Sequence, residues 1–193
     1  MVKKFNENQF FVKLNFKTVN IVRSSEETPK IVIQHKIADI PGGVTVKTSN
    51  LTATVLPEAT PLALGNDGKY VAVAVAKVVE AAGASAVTYS VAKGHLFVVG
   101  DKVWKSSSVN VNITEIDTSN ADKDIITVDA TLGARAAGSS LTAGGLGEIV
   151  AIVGETQKIR KGFNLFASAW TFAQVNKALV TVPDYKPATI LYV

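Results

Sequence analysis

The chain has 193 residues, of which 47% are hydrophobic and 19% charged, and that balance excludes intrinsic disorder, which needs low hydrophobicity and high net charge. It contains no cysteine, so disulfides and thiolate metal sites are excluded. The net charge of +4 sits at one end: residues 1–50 carry eight Lys and Arg against four Asp and Glu, and residues 51–193 carry twelve of each.

The first segment, "MVKKFNENQFFVKLNFK", starts basic, but Asn, Glu, Gln and Lys interrupt its apolar residues. It does not read as a secretory signal, and no apolar run along the chain is long enough for a membrane-spanning helix. Asn8–Val22 alternates imperfectly, with Phe11, Leu14 and Phe16 among Lys13, Asn15 and Lys17, as a strand or extended arm does. Lys3, Lys4, Lys13, Lys17 and Arg23 carry the excess charge. They are the candidate partner-binding residues, placed to dock on an acidic surface. They are dispersed and come with no DNA- or RNA-binding motif, so nucleic acid is not the expected partner.

Arg23–Lys30 is a polar loop, and Ile31–Ile40 reads as a strand that Pro41-Gly42-Gly43 ends. The charge bias stops near Pro41–Ser49, which sets the expected division: a basic N-terminal arm over 1–50 and a β domain over 51–193. "VTVKTSNLTATVL" has period-2 character, and Asn66-Asp67-Gly68 is a turn signal. In "KYVAVAVAKVV", Val71, Val73 and Val75 share one face and Ala72, Ala74 and Ala76 the other. Alanine also suits a helix, but strict alternation after a hairpin-like turn favours a strand.

"VTYSVAKGHLFVVGDKV", "VNVNITEID" and "IITVDATL" continue the series, with a turn at Thr118–Asp124. Gly133–Gly145 reads as a small-residue loop and "GEIVAIV" as a strand. Phe163–Leu179 has helical spacing, with Phe163, Phe166 and Trp170 three and four residues apart. "VTVP" and "ATILYV" are the expected closing strands. Short strands at regular intervals with turn signals between them indicate an all-β fold, a small β-barrel or β-sandwich. It would carry an extended N-terminal arm and one short helix near the C-terminus.

Residues able to do chemistry are sparse. The histidines are His35 and His95, and no Gly-x-Ser-x-Gly elbow is present. His95, beside Gly94 at a strand start, reads as a surface or edge residue. Asp117, Asp122, Asp124 and Asp129 cluster in sequence, but a calcium loop counted from Asp117 puts Val128 where the closing Glu is required. They read as solvated turn caps. "GGLGEIVAIVGE" lacks the Lys-Ser/Thr of a phosphate loop. Trp104 and Trp170 fit core or interface positions better than sugar platforms. Gly100-Asp101 is a turn or bulge in which Asp caps a neighbouring N–H. No catalytic residue, cofactor or metal ligand emerges, and the expectation is a non-enzyme.

Four stretches over residues 51–141 carry a resemblance: "TVLPEATPLALGNDGKYVAV", "VAKGHLFVVGDKV", "ITEIDTSNADKDIITVDATLG" and "AAGSSL". In this order they resemble the head decoration and head fibre proteins of tailed bacteriophages, particularly crass-like gut phages. One departure is Glu58-Ala59, where those proteins often have a Gly-Thr turn. The motifs are structural rather than catalytic. The resemblance implies a virion component on the capsid exterior, bound to the major capsid protein and assembled in the host cytoplasm. It implies self-association, commonly as trimers, with other head-fibre proteins as further partners. The resemblance does not reach residues 1–50; their isolated charge of +4 makes them the expected capsid-anchoring segment. The alternative is a carbohydrate-binding or adhesin-type β module.

Overall fold

A computed structural model describes residues 30–106, 109–143 and 149–193. In chain order the strands among them are β1 (Ile33–Asp39), β2 (Val44–Lys47), β3 (Val55–Leu56), β4 (Pro61–Leu64), β5 (Tyr70–Ala72), β6 (Ala74–Lys77), β7 (Thr88–Ala92), β8 (Lys102–Trp104), β9 (Asn110–Asp117), β10 (Lys123–Val128), β11 (Ser140–Ala143), β12 (Ile149–Val153), β13 (Gln157–Lys158), β14 (Leu165–Ala167), β15 (Ala169–Val175) and β16 (Ile190–Tyr192). The fold is all-β, built from curled sheets that form a half-barrel.

An eight-stranded sheet runs β1-β15-β12-β4-β5-β2-β14, with β16 parallel to the far end of β15. A six-stranded sheet runs β6-β11-β8-β9-β10-β7. The second sheet curls until its first and last members meet: Val78, just past β6, bridges to Val91 of β7. The N–H of Val79 donates to the carbonyl of Ser90 at 2.9 Å beside that bridge.

Period-2 patterning explains the long strands. Along β9 and β10, Val111, Ile113, Ile126 and Val128 turn inward while Asn112 and Thr114 face out. The chain crosses between sheets at Val73. β5 ends at Ala72 in the first sheet, and β6 begins at Ala74 in the second. It is the alanine face, Ala72, Ala74 and Ala76, that enters the main core with Leu56, Leu62 and Tyr89. Val73 turns the other way and packs with Ala63 and Ile149.

Four expectations are corrected. The helical spacing over Phe163–Leu179 is strand: β14 and β15 bury Ala167, Ala169, Ala173 and Val175, while Phe163 and Phe166 stay 64% and 66% exposed. Partners on both sides of β15 satisfy its backbone, and tertiary pairing overrides a short helical pattern. Within the small-residue loop, Ser140–Ala143 forms β11 because Leu141, Thr142 and Ala143 are fully buried between β6 and β8. "VTVP" is not a strand, whereas the end of "ATILYV" is β16. The β domain also begins earlier than residue 51: residues 31–193 form one compact unit. Ile33, Val44 and Val46 anchor β1 and β2 in its cores. Charge did not locate this boundary because the charged residues of β1 and β2 lie outside those buried positions.

Candidate functional site

Gly100 adopts φ 93°, a left-handed conformation that glycine takes without strain. The turn is held at both ends. The N–H of Val98 donates to Asp101 Oδ2 at 2.9 Å, and the N–H of Asp101 donates to the carbonyl of Val98 at 3.1 Å. Burial pushes the Asp101 carboxyl above its ordinary value, and the Val98 N–H opposes that shift. Asp101 is therefore the turn cap expected from sequence.

His95 is not the surface residue expected. Its side chain is 6% exposed, with Nε2 3.2 Å from Asp124 Oδ2. The other Asp124 oxygen accepts from Lys93 Nζ at 2.6 Å, and Lys93 also donates to the carbonyl of Thr118 at 3.0 Å. His95 Nδ1 accepts the N–H of Phe97 at 3.2 Å, which assigns the neutral ring's proton to Nε2. Burial lowers the His95 pKa, and the Asp124 charge pulls partly the other way. Among the described residues no hydroxyl hydrogen-bonds His95, so the arrangement ties the 93–101 loop to β10 without offering a nucleophile. Two of the other aspartates act as caps: Asp117 accepts the N–H of Ser119 at 2.9 Å, and Asp129 accepts the N–H and Nδ2 of Asn112 at 3.0 and 2.6 Å. Asp122 is itself capped, its N–H donating to Asn120 Oδ1 at 2.8 Å.

The eight-stranded sheet has two open edges among the described residues. β1 pairs only with β15, and β14 pairs only with β2. After Ile33, every residue of β1 is exposed, including Ile37. At the opposite edge, Phe166 of β14 and Phe163 just before it are both exposed. The guanidinium of Arg160 lies 5.5 Å from the Phe163 ring centroid, and Thr48 Oγ1 donates to the carbonyl of Phe163. Phe166 covers Gly43, where a Cβ would fall 2.8 Å from the ring. Both aromatics are thus held in place by local contacts while remaining exposed. The basic residues singled out in sequence, Lys3, Lys4, Lys13, Lys17 and Arg23, lie outside the described residues.

The two tryptophans differ. Trp170 has Lys36 Nζ 5.6 Å from its ring centroid and abuts Gly154, where a Cβ would meet Nε1 at 2.6 Å. Trp104 stands on the outer side of β8, edge-on to Tyr185 with ring centroids 5.1 Å apart. It lines a cleft of about 230 Å³ with Lys47, Asn50, Asp101, Lys102 and Asn110, and a second beside Asp184, Tyr185 and Lys186. The Tyr185 loop is pinned through Asp184, which accepts Ser140 Oγ at 2.6 Å and donates its N–H to Thr142 Oγ1 at 3.0 Å. Sequence reading missed this pair, because Tyr185 sits in a segment read as linking two closing strands.

Searches against protein-family models, curated proteins and solved structures found no match.

Proposed function

We propose that this protein is a non-enzymatic structural component of a bacteriophage particle. It sits on the capsid exterior as a decoration protein or head-fibre base, bound to the major capsid protein. The motif order over residues 51–141 supports this reading. The observation that carries it is the pair of edges, open among the described residues, at opposite ends of one sheet, one presenting Phe163 and Phe166. An unpaired strand edge is a template for another chain. Pairing β1 of one copy with β14 of the next is a head-to-tail contact, which closes into a ring when the rotation permits, a trimer being the favoured order. The basic residues before Ile31 would meet the capsid protein by charge, and other head-fibre proteins would join on the outer side. Assembly in the host cytoplasm fits a chain whose stability needs no disulfide.

Cryo-EM of the intact particle tests the reading. Copies seated on the shell around local symmetry axes, with β14 against a neighbour's β1, are the expected result. A particle whose external density leaves no place for this fold overturns it.

A further inference from the structure

We propose that the cleft lined by Trp104, Asn110 and Asn50 binds a neutral pyranose sugar. The inference rests on the cleft alone and stands or falls apart from the capsid reading.

Trp104 and Asn110 are direct cross-strand partners on β8 and β9, so their side chains leave the same face of the sheet. Asn50 enters from the loop after β2 and completes the cleft. An aromatic face beside amide groups matches a sugar ring. The axial C–H groups of a pyranose lie flat on an indole, and an amide both donates to and accepts from ring hydroxyls. At about 230 Å³ the cleft falls below the roughly 300–1,000 Å³ of a drug-sized site, which limits it to one ring.

Charge selects against anions. Of the lining lysines, Lys47 is already paired with Asp67 at 2.8 Å. Lys102 and Asp101 line the same cleft and cancel in formal charge, with no ion pair between them. The lining therefore carries no net positive charge for a phosphate or carboxylate, and Leu51, Val71, Ala72, Ala74 and Leu96 make the rest of it apolar. The walls are also pre-formed. Arg135 Nη2 donates to the Trp104 carbonyl at 3.5 Å and its Nη1 lies 3.7 Å from Asp184 Oδ2, so one side chain links the Trp104 strand to the Tyr185 loop. Groups already held in place lose little freedom when a ligand arrives.

The chain has two tryptophans, so a proton–nitrogen correlation spectrum contains two indole signals. The full chain is titrated with methyl glucoside, methyl galactoside and N-acetylglucosamine, and separately with glucuronate and inorganic phosphate. The expected result is a saturable shift of the Trp104 indole and Asn110 signals by at least one neutral pyranose, with Trp170 unmoved. Read at the Asn110 signals, Trp104→Ala should abolish the shift and Trp104→Phe should weaken it; read at the Trp104 indole, Asn110→Ala should raise Kd about five- to tenfold for a lost hydrogen bond. Backbone spectra of the variants confirm the fold. No saturable response to any neutral sugar up to its solubility overturns the proposal, as does undiminished binding by Trp104→Ala or a larger response to phosphate or glucuronate.

Discussion

His95 Nε2 lies 3.2 Å from Asp124 Oδ2, and both side chains are more than nine-tenths buried. Asp124 also holds Lys93, so its single negative charge faces a cation on one side and a neutral imidazole on the other. Because burial lowers the His95 pKa, the unfolded chain binds a proton near pH 6.5 that the folded chain refuses. Stability then falls as pH drops below about 6.5 and stops falling from this cause once the folded ring protonates. Melting temperature measured between pH 7.5 and 5 should decline in the native chain and decline less in His95→Gln. Equal slopes would remove His95 as the cause.

Tyr89 is 1% exposed, and its hydroxyl meets three backbone groups. It accepts the buried N–H of Leu132 at 2.9 Å and shares its proton between the carbonyls of Ala86 at 2.7 Å and Gly133 at 3.2 Å. Tyr89→Phe keeps the ring but strands the Leu132 N–H and the Ala86 carbonyl. Unsatisfied buried polar groups cost about 1–3 kcal/mol each, so chemical denaturation should show a loss of roughly 2 kcal/mol with an unchanged m-value. A loss within error of zero would mean that water replaces the hydroxyl.

The chain advertises some of this architecture and conceals the rest. β9 and β10 are legible because Val111, Ile113, Ile126 and Val128 alternate with polar residues, and the 98–101 turn is legible because Gly and Asp each have a local task there. β15 was concealed: Phe166 and Trp170 are helically spaced, yet they serve a solvent edge and a contact with Gly154. β11 was concealed because Gly and Ser surround it and its reason for being a strand lies in β6 and β8. The Trp104–Tyr185 pair and the His95–Asp124 contact each join a loop residue to a strand residue far away in the chain, and only the tertiary fold brings such residues together.

Ala59 has φ 62°, an uncommon conformation for a residue with a Cβ. Its N–H donates to the carbonyl of Val153 at 2.8 Å, and Thr60 accepts the N–H of Val153 at 2.9 Å, so the sheet holds the strain in place. Ala59→Gly relieves about 1–2 kcal/mol of left-handed strain and loses about 0.8 kcal/mol of methyl burial plus about 0.4–1 kcal/mol of unfolded-state entropy. The three nearly cancel. Stability should stay within about 1 kcal/mol of native, whereas Ala151→Gly, with the same losses and no left-handed strain to relieve, should cost more. A larger loss at Ala59 than at Ala151 would show that the left-handed turn carries no strain.

Truncation separates the arm from the domain at a definite residue. Removing residues 1–30 leaves the compact unit that starts at Ile31, and a cooperative melt near the native temperature is expected, with capsid co-sedimentation lost. Removing residues 1–50 takes away β1 and β2. β2 lies between β5 and β14, and its Val46 is fully buried in the main core. The longer truncation should therefore fail to fold or melt far lower. If both truncations melted alike, the boundary would belong at residue 51; if the shorter one still bound capsid, attachment would lie in the β domain.

Phe163 and Phe166 test the assembly contact without threatening the fold. At 64% and 66% exposed, they already leave most of their surface in water, so exchanging them for polar residues removes little burial from a single copy. In an edge-to-edge contact the same rings would be covered, and a fully buried aromatic side chain contributes about 1.5–3 kcal/mol. The double variant Phe163→Lys, Phe166→Lys also places two cations on the β14 edge, a device that discourages strand addition. Light scattering should report an oligomer for the native chain and a 20.4 kDa monomer for the double variant, with similar melting curves at concentrations where both are monomeric. An oligomer that survives both substitutions would move the interface away from β14, and a native chain that stays monomeric at every concentration would remove unaided self-association from the proposed function.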